Sequence, residues 1–235
     1  MQRREFLGSC ALLSGIACLA HAEAGGESAH IQRYSRVLLI DIHGAPIRQG
    51  SIADETNYVF LYPFAATPCF LLRLAAPVPA VAVLRREHGE PYVAPGGVGP
   101  AHNVVAFSAI CAHKLAYPTR DVSFIRYQRS RSATSSGKVI HCCADHSVYD
   151  PAAGARVIAG PAPQPLACVA LEYDAARDEL YALGTLGAEQ FGPFFEKYAM
   201  KLSLEYGELT RARAPVIDTT VVRKLTNYCR NTIEC

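Results

Sequence analysis

The chain has 235 residues, of which 50% are hydrophobic and 19% charged, with a formal net charge of +2. That length suits one domain of ordinary size with extensions, or two small ones, and the composition can bury a core. The charge is too mild and too dispersed for the clustered basic face that nucleic-acid binding needs, which excludes that class of partner.

Gln2-Arg3-Arg4-Glu5-Phe6-Leu7 places paired arginines before an apolar stretch that ends near Ala20, and Ala20-His21-Ala22 fits a small-x-small cleavage site. This order reads as a twin-arginine export signal over residues 1–22, which directs the protein to the periplasm or the periplasmic side of the inner membrane. The apolar stretch is marginal against the roughly 20 residues of a membrane span; retained rather than cut, it is the route to membrane association. Residues 23–36, with Gly25, Gly26 and Ser28, have the small, polar composition of a linker.

Val37–Asp41, Asn57–Tyr62, Cys69–Arg73 and Val81–Leu84 are short apolar runs with β-branched or aromatic members, most of them bounded by Gly, Pro or Asp, and read as strands. No long helical pattern separates them, which favours an antiparallel all-β sandwich or barrel over an α/β sheet. Pro91–Gly99 reads as a Gly/Pro loop, and Asn103–Ile110 as a strand that leads into Cys111. Thr119–Lys138, which carries Arg120, Arg126, Arg129, Arg131 and Lys138 around a Ser-rich centre, reads as a basic loop insertion. Charge runs of this kind are more often solvated than docked on an acidic partner.

Val139–His141 is a short strand into the second Cys/His cluster, and Ala167–Tyr173 with Glu179–Leu183 forms a hairpin. Beyond Gly187, apolar residues at 191, 194, 195, 198, 199 and 202 recur with helical spacing, giving a helix that packs on the sheet as an appendage. The nine cysteines include Cys10 and Cys18 of the signal; the rest are Cys69, Cys111, Cys142, Cys143, Cys168, Cys229 and Cys235. Cys229 and Cys235 are spaced to close a small terminal loop, although sequence does not fix connectivity.

Two clusters carry the chemistry: Cys111-Ala112-His113, and Cys142-Cys143-Ala144-Asp145-His146 followed by Ser147, Tyr149 and Asp150. Each offers a thiolate and an imidazole from one tight loop. Two thiolates and two imidazoles suit either a closed tetrahedral zinc site or a two-iron, two-sulfide cluster with two cysteines on one iron and two histidines on the other. Zinc fingers usually pair Cys with Cys and His with His. Here each cluster mixes the two, which favours iron and sulfide.

C-x-H and then C-x-x-H, followed by Tyr149-Asp150, Gly154 and the turn Gly160-Pro161-Ala162-Pro163, resembles the Rieske iron–sulfur family over roughly Asn103 to Gly184. The resemblance implies a Rieske-like antiparallel β-sandwich over residues 37–185, with a small cluster-binding part about 103–166, and leaves 186–235 as a helix and tail. It implies a Rieske-type [2Fe–2S] cluster with Cys111 and Cys143 on one iron and His113 and His146 on the other. Ser147 and Tyr149 would hydrogen-bond the cluster sulfurs, and Gly160 and Pro161 would form the flanking turn. Two neutral imidazoles in place of thiolates raise the potential to between about −150 and +300 mV.

The sequence departs from the family pattern in two ways. The places of the disulfide that joins the two loops in respiratory members hold Ala116 and Asp145, so that bridge is absent. The glycine that normally follows the second histidine is also missing, which moves Ser147 and Tyr149 one residue closer to it. Counting back from Asp150 instead makes Cys142 the ligand and puts Asp145 where the histidine belongs. Preserving ligand type favours Cys143 with His146.

These features imply an exported electron-transfer protein rather than a complete enzyme, because the chain holds one one-electron centre and no group that transforms a substrate. Its partners would be redox proteins: a cytochrome c, the large subunit of a molybdenum oxidoreductase, or a quinol-oxidising complex. The leading expectation is a periplasmic oxidoreductase subunit similar to the small subunit of arsenite oxidase. The alternatives are a membrane-anchored Rieske subunit of a quinol:cytochrome c oxidoreductase and a structural zinc-binding interaction module.

Overall fold

A computed structural model describes residues 31–187 and 189–235. The export signal and the first part of the linker lie outside the described residues. The described residues are all-β from 31 to 187, with a helical extension after that. In chain order the strands are β1 Gln32–Ile40, β2 Tyr58–Leu61, β3 Pro68–Arg73, β4 Val81–Arg85, β5 Pro91–Ala94, β6 Val104–Ser108, β7 Val122–Ser123, β8 Ile125–Gln128, β9 Val139–Cys142, β10 Ser147–Asp150, β11 Arg156–Ala159, β12 Cys168–Asp174 and β13 Glu179–Leu186. Helices α1 Phe191–Lys197, α2 Ala199–Tyr206 and α3 Leu209–Ala212 follow, then β14 Thr219–Val221, β15 Arg223–Lys224, α4 Leu225–Tyr228 and β16 Asn231–Thr232.

Eight strands form the main sheet in the order β14-β1-β13-β12-β6-β3-β2-β15. The two outermost strands, β14 and β15, are separated in sequence by Val222 alone, so the sheet curls until its edges approach. Thr220 fastens that closure: its hydroxyl donates to the Leu61 carbonyl at 2.9 Å.

Strand alternation divides the apolar residues between two cores. Phe60, Cys69, Leu71, Val104 and Ala106 face inward with Val37, Leu39, Leu180 and Ala182. Val59, Phe70, Leu72, Val105 and Phe107 face the other way and pack on Ile125, Tyr127, Ile140 and Tyr149 of a second, four-stranded sheet ordered β11-β10-β9-β8. That smaller sheet carries the second cluster, and the first cluster leaves the end of β6. Both therefore open onto one edge of the core between the sheets.

Four expectations need correction. Residues 32–36, assigned to the linker, belong to β1, where residues 32 and 33 pair with Thr185 and Gly184 of β13. Pro91–Ala94 is a strand paired with β4 rather than loop; its proline is the first residue of a two-stranded ribbon, a place where a missing N–H costs no ladder bond. The basic segment 119–138 contains β7 and β8, and β8 is an edge of the small sheet. Its charges also pair within the chain: Arg126 with Glu234 at 3.1 Å, and Arg129 and Lys138 with Glu55 at 2.9 and 3.4 Å. The expected single helix is broken at Tyr198 into α1 and α2.

The extension buries Phe191, Phe194, Phe195 and Leu202 against Ile110 and Tyr117, at either end of the first cluster. Beyond α4, β16 runs parallel to β7 and leads the tail past the second cluster. Among the described residues no helix is long and apolar enough to cross a membrane.

Candidate metal centre

The first loop closes on itself: the Cys111 amide donates to the Ala116 carbonyl at 2.9 Å and the Leu115 amide to the Cys111 carbonyl at 3.0 Å. Leu115 takes a left-handed φ of 58° to complete the turn. The second loop is the tight connection between β9 and β10, closed by the His146 amide on the Cys142 carbonyl at 2.7 Å. His146 supplies its left-handed residue, with φ 59°. Gly160, also left-handed at φ 85°, lies against this turn so closely that a Cβ would collide with the His146 carbonyl and the Ser147 backbone. Pro161 is exposed in the bend that follows.

The four predicted donors do not converge. Cys143 forms a disulfide with Cys235, with 5.6 Å between their Cα atoms, so its sulfur is not free to bind a metal. This also replaces the expected Cys229–Cys235 loop, since Cys229 is a buried free thiol. His146 is exposed, and its ring packs edge-on against His141 with 5.6 Å between centroids.

The thiol that turns inward from the second loop is Cys142, because adjacent residues leaving a strand point to opposite sides. The sulfurs of Cys111 and Cys142 and a carboxylate oxygen of Asp145 lie within 4.8 Å of one another. His113 joins them, with Nδ1 3.1 Å from Asp145 Oδ2. Converging donors are therefore Cys111, His113, Cys142 and Asp145, the set that counting back from Asp150 picks out.

The electrostatics separate Cys111 from the other free thiols. A hydrogen bond from Cys142 lowers the Cys111 pKa, against burial and with help from the Tyr149 hydroxyl, while the same contact and burial raise that of Cys142. Cys168 and Cys229 are likewise pushed up, by burial, to about 12 and about 11 and stay protonated. Burial works to raise the Asp145 pKa, but the Ser147 amide and the Cys111 and Cys142 thiols outweigh it and hold the carboxyl below its usual value. His141 is fully buried with neither ring nitrogen hydrogen-bonded, and burial, reinforced by His146, lowers its pKa.

Two hydroxyls complete the surroundings. Tyr149 accepts from the Ala112 amide at 3.1 Å and lies 3.3 Å from Cys111 Sγ, so its proton is free to point at that sulfur. Burial, and then Cys111, raise its pKa and keep it protonated as a donor. The Ser147 hydroxyl is fully buried and has no partner within the protein. A buried hydroxyl without a partner costs about 1–3 kcal/mol, and an acceptor bound between the loops would remove that cost.

No protein-family model matches the chain. Among solved structures it is similar to the soluble domain of the Rieske protein II (soxF) from Sulfolobus acidocaldarius. The identity is 27% over 66% of this chain and 82% of that one, with a TM-score of 0.46.

Proposed function

We propose that this chain is a Rieske-type electron-transfer protein that holds a [2Fe–2S] cluster between its two loops. The observation that carries the reading is the meeting of Cys111 and Cys142, thiols from separate loops, with the Tyr149 hydroxyl on one sulfur and an unpartnered Ser147 hydroxyl buried at the turn. The donor set fits such a group, and a bound cluster of this kind supplies a one-electron centre. Cys111 and Cys142 would bind it as thiolates. Tyr149 donates to the Cys111 sulfur and Ser147 has a proton to give, and such donors stabilise extra negative charge on sulfur. The His113 side chain is 33% exposed and marks the side from which a partner reaches the site.

The N-terminal twin-arginine pattern and the lack of any substrate-transforming motif support a periplasmic role as the electron-carrying subunit or partner of an oxidoreductase. A molybdenum enzyme similar to arsenite oxidase is the leading candidate, with a cytochrome c or a quinol-oxidising complex as the other partner classes. The test is metal and sulfide analysis of full-length protein purified from the periplasm. About two irons and two acid-labile sulfides per chain are expected, with a rhombic electron paramagnetic resonance signal of low mean g value on reduction. Stoichiometric zinc without sulfide would instead establish a structural metal module.

A further inference from the structure

Given the proposed cluster, the two loops do not offer a symmetrical donor set. From the first come a thiolate and an imidazole, Cys111 and His113. In the second the thiol is Cys142, and the group that meets the others is a carboxylate. The Asp145 side chain is only 3% exposed. Its Oδ2 lies 3.2 Å from Cys111 Sγ and 3.1 Å from His113 Nδ1, while Oδ1 accepts the Ser147 amide at 2.9 Å. Among the described residues neither lysine nor arginine pairs with it; its one ion-pair contact is His113. This buried carboxylate points one oxygen at a first-loop thiol and a first-loop imidazole, where a ligand from the second loop has to stand.

We propose that Asp145 is the fourth ligand, so that the cluster is held by Cys111, Cys142, His113 and Asp145, with His146 outside the set. The position of His146 agrees. Its ring is exposed and stacked toward His141, its amide closes the turn, and its backbone occupies the left-handed conformation that glycine favours. It shapes the loop, and its ring nitrogen groups with His141 and Cys235, whereas Cys111 and Cys142 group with Asp145.

A carboxylate is anionic where imidazole is neutral. The cluster therefore carries one more negative charge than a two-cysteine, two-histidine set, and its reduction is less favourable.

The test counts histidine nitrogens. Full-length protein with 15N-labelled histidine is loaded with iron and sulfide, reduced, and examined by pulsed electron paramagnetic resonance. One directly coordinated histidine nitrogen is expected, and His146→Gly should change neither that coupling nor the iron content. Asp145→Ala should lose several-fold in iron retained after desalting, and Asp145→His should add a second coupled nitrogen and raise the midpoint potential. Two coupled nitrogens in the unaltered protein, or an unchanged cluster in Asp145→Ala, overturns the ligand assignment while the proposed function stands. A chain that takes up no iron–sulfur cluster overturns both.

Discussion

The two loops that form the site are held by opposite means. The first is closed by its own backbone and braced by packing: Tyr117 lies edge-on to Phe194 and to Tyr198, each at 4.9 Å between ring centroids, and Lys197 Nζ donates to the Lys114 carbonyl at 2.5 Å. The second is a tight turn in a small sheet, fixed from outside by a covalent bond to Cys235 and by Gly160 against its backbone. Both braces come from sequence beyond the loop they serve, and the strongest of each lies past residue 187. The C-terminal segment, expected as an appendage, thus braces both loops of the candidate metal centre.

Removing the aromatic brace tests the first half of this contrast. Phe194 is fully buried in the cluster that holds Tyr117, and Phe194→Ala should cost about 4 kcal/mol. Urea denaturation followed by circular dichroism would report it, since the chain contains no tryptophan. Amide exchange should rise first between Cys111 and Tyr117.

Cutting the tether tests the second half. The bond joins residues 92 apart in sequence, and chain entropy puts its contribution at up to about 4.7 kcal/mol, with about 3 kcal/mol typical. Cys235→Ser should lose that amount and loosen residues 143–146 while leaving the first loop protected. A reductant should reproduce the loss in the unaltered protein and do nothing further to the variant. Equal loosening of both loops would remove the distinction between them.

The smallest effect belongs to a tyrosine that spans the two. Tyr149 lies on the second loop's sheet and accepts from the first loop's Ala112 amide. Tyr149→Phe leaves that buried amide without its acceptor and should cost about 1–2 kcal/mol. It should also lower the cluster's midpoint potential, because the sulfur of Cys111 loses a donor.

The main strands were legible because each is a short apolar run with β-branched or aromatic members, as in Cys69–Arg73 and Val104–Ser108. Pro91–Ala94 and Ile125–Gln128 were not: each is four residues long, the first opens on a proline beside a Gly/Pro run, and the second sets Arg126 and Gln128 next to a basic, Ser-rich segment that masks its buried Ile125 and Tyr127. In the first loop Cys111 and His113, named together from their spacing, both lie beside Asp145. In the second, donor type and donor spacing disagreed. Type favoured Cys143 with His146, whereas spacing from Tyr149 and Asp150 favoured Cys142 with Asp145. The structure brings the latter pair to Cys111. The fact that would have decided between them, the pairing of Cys143 with Cys235, depends on the path of the tail along β7, which no local pattern encodes.

That pairing has a consequence for assembly order. Cys142 and Cys143 are neighbours, and while both are thiols either can capture a metal ion, so a loop still in its reduced state offers two competing registers for loading. Closing the bond to Cys235 withdraws one competitor and leaves a single register. Under the proposed function, oxidation and cluster insertion are therefore coupled steps: the order in which they occur determines whether the cluster meets one second-loop thiol or two.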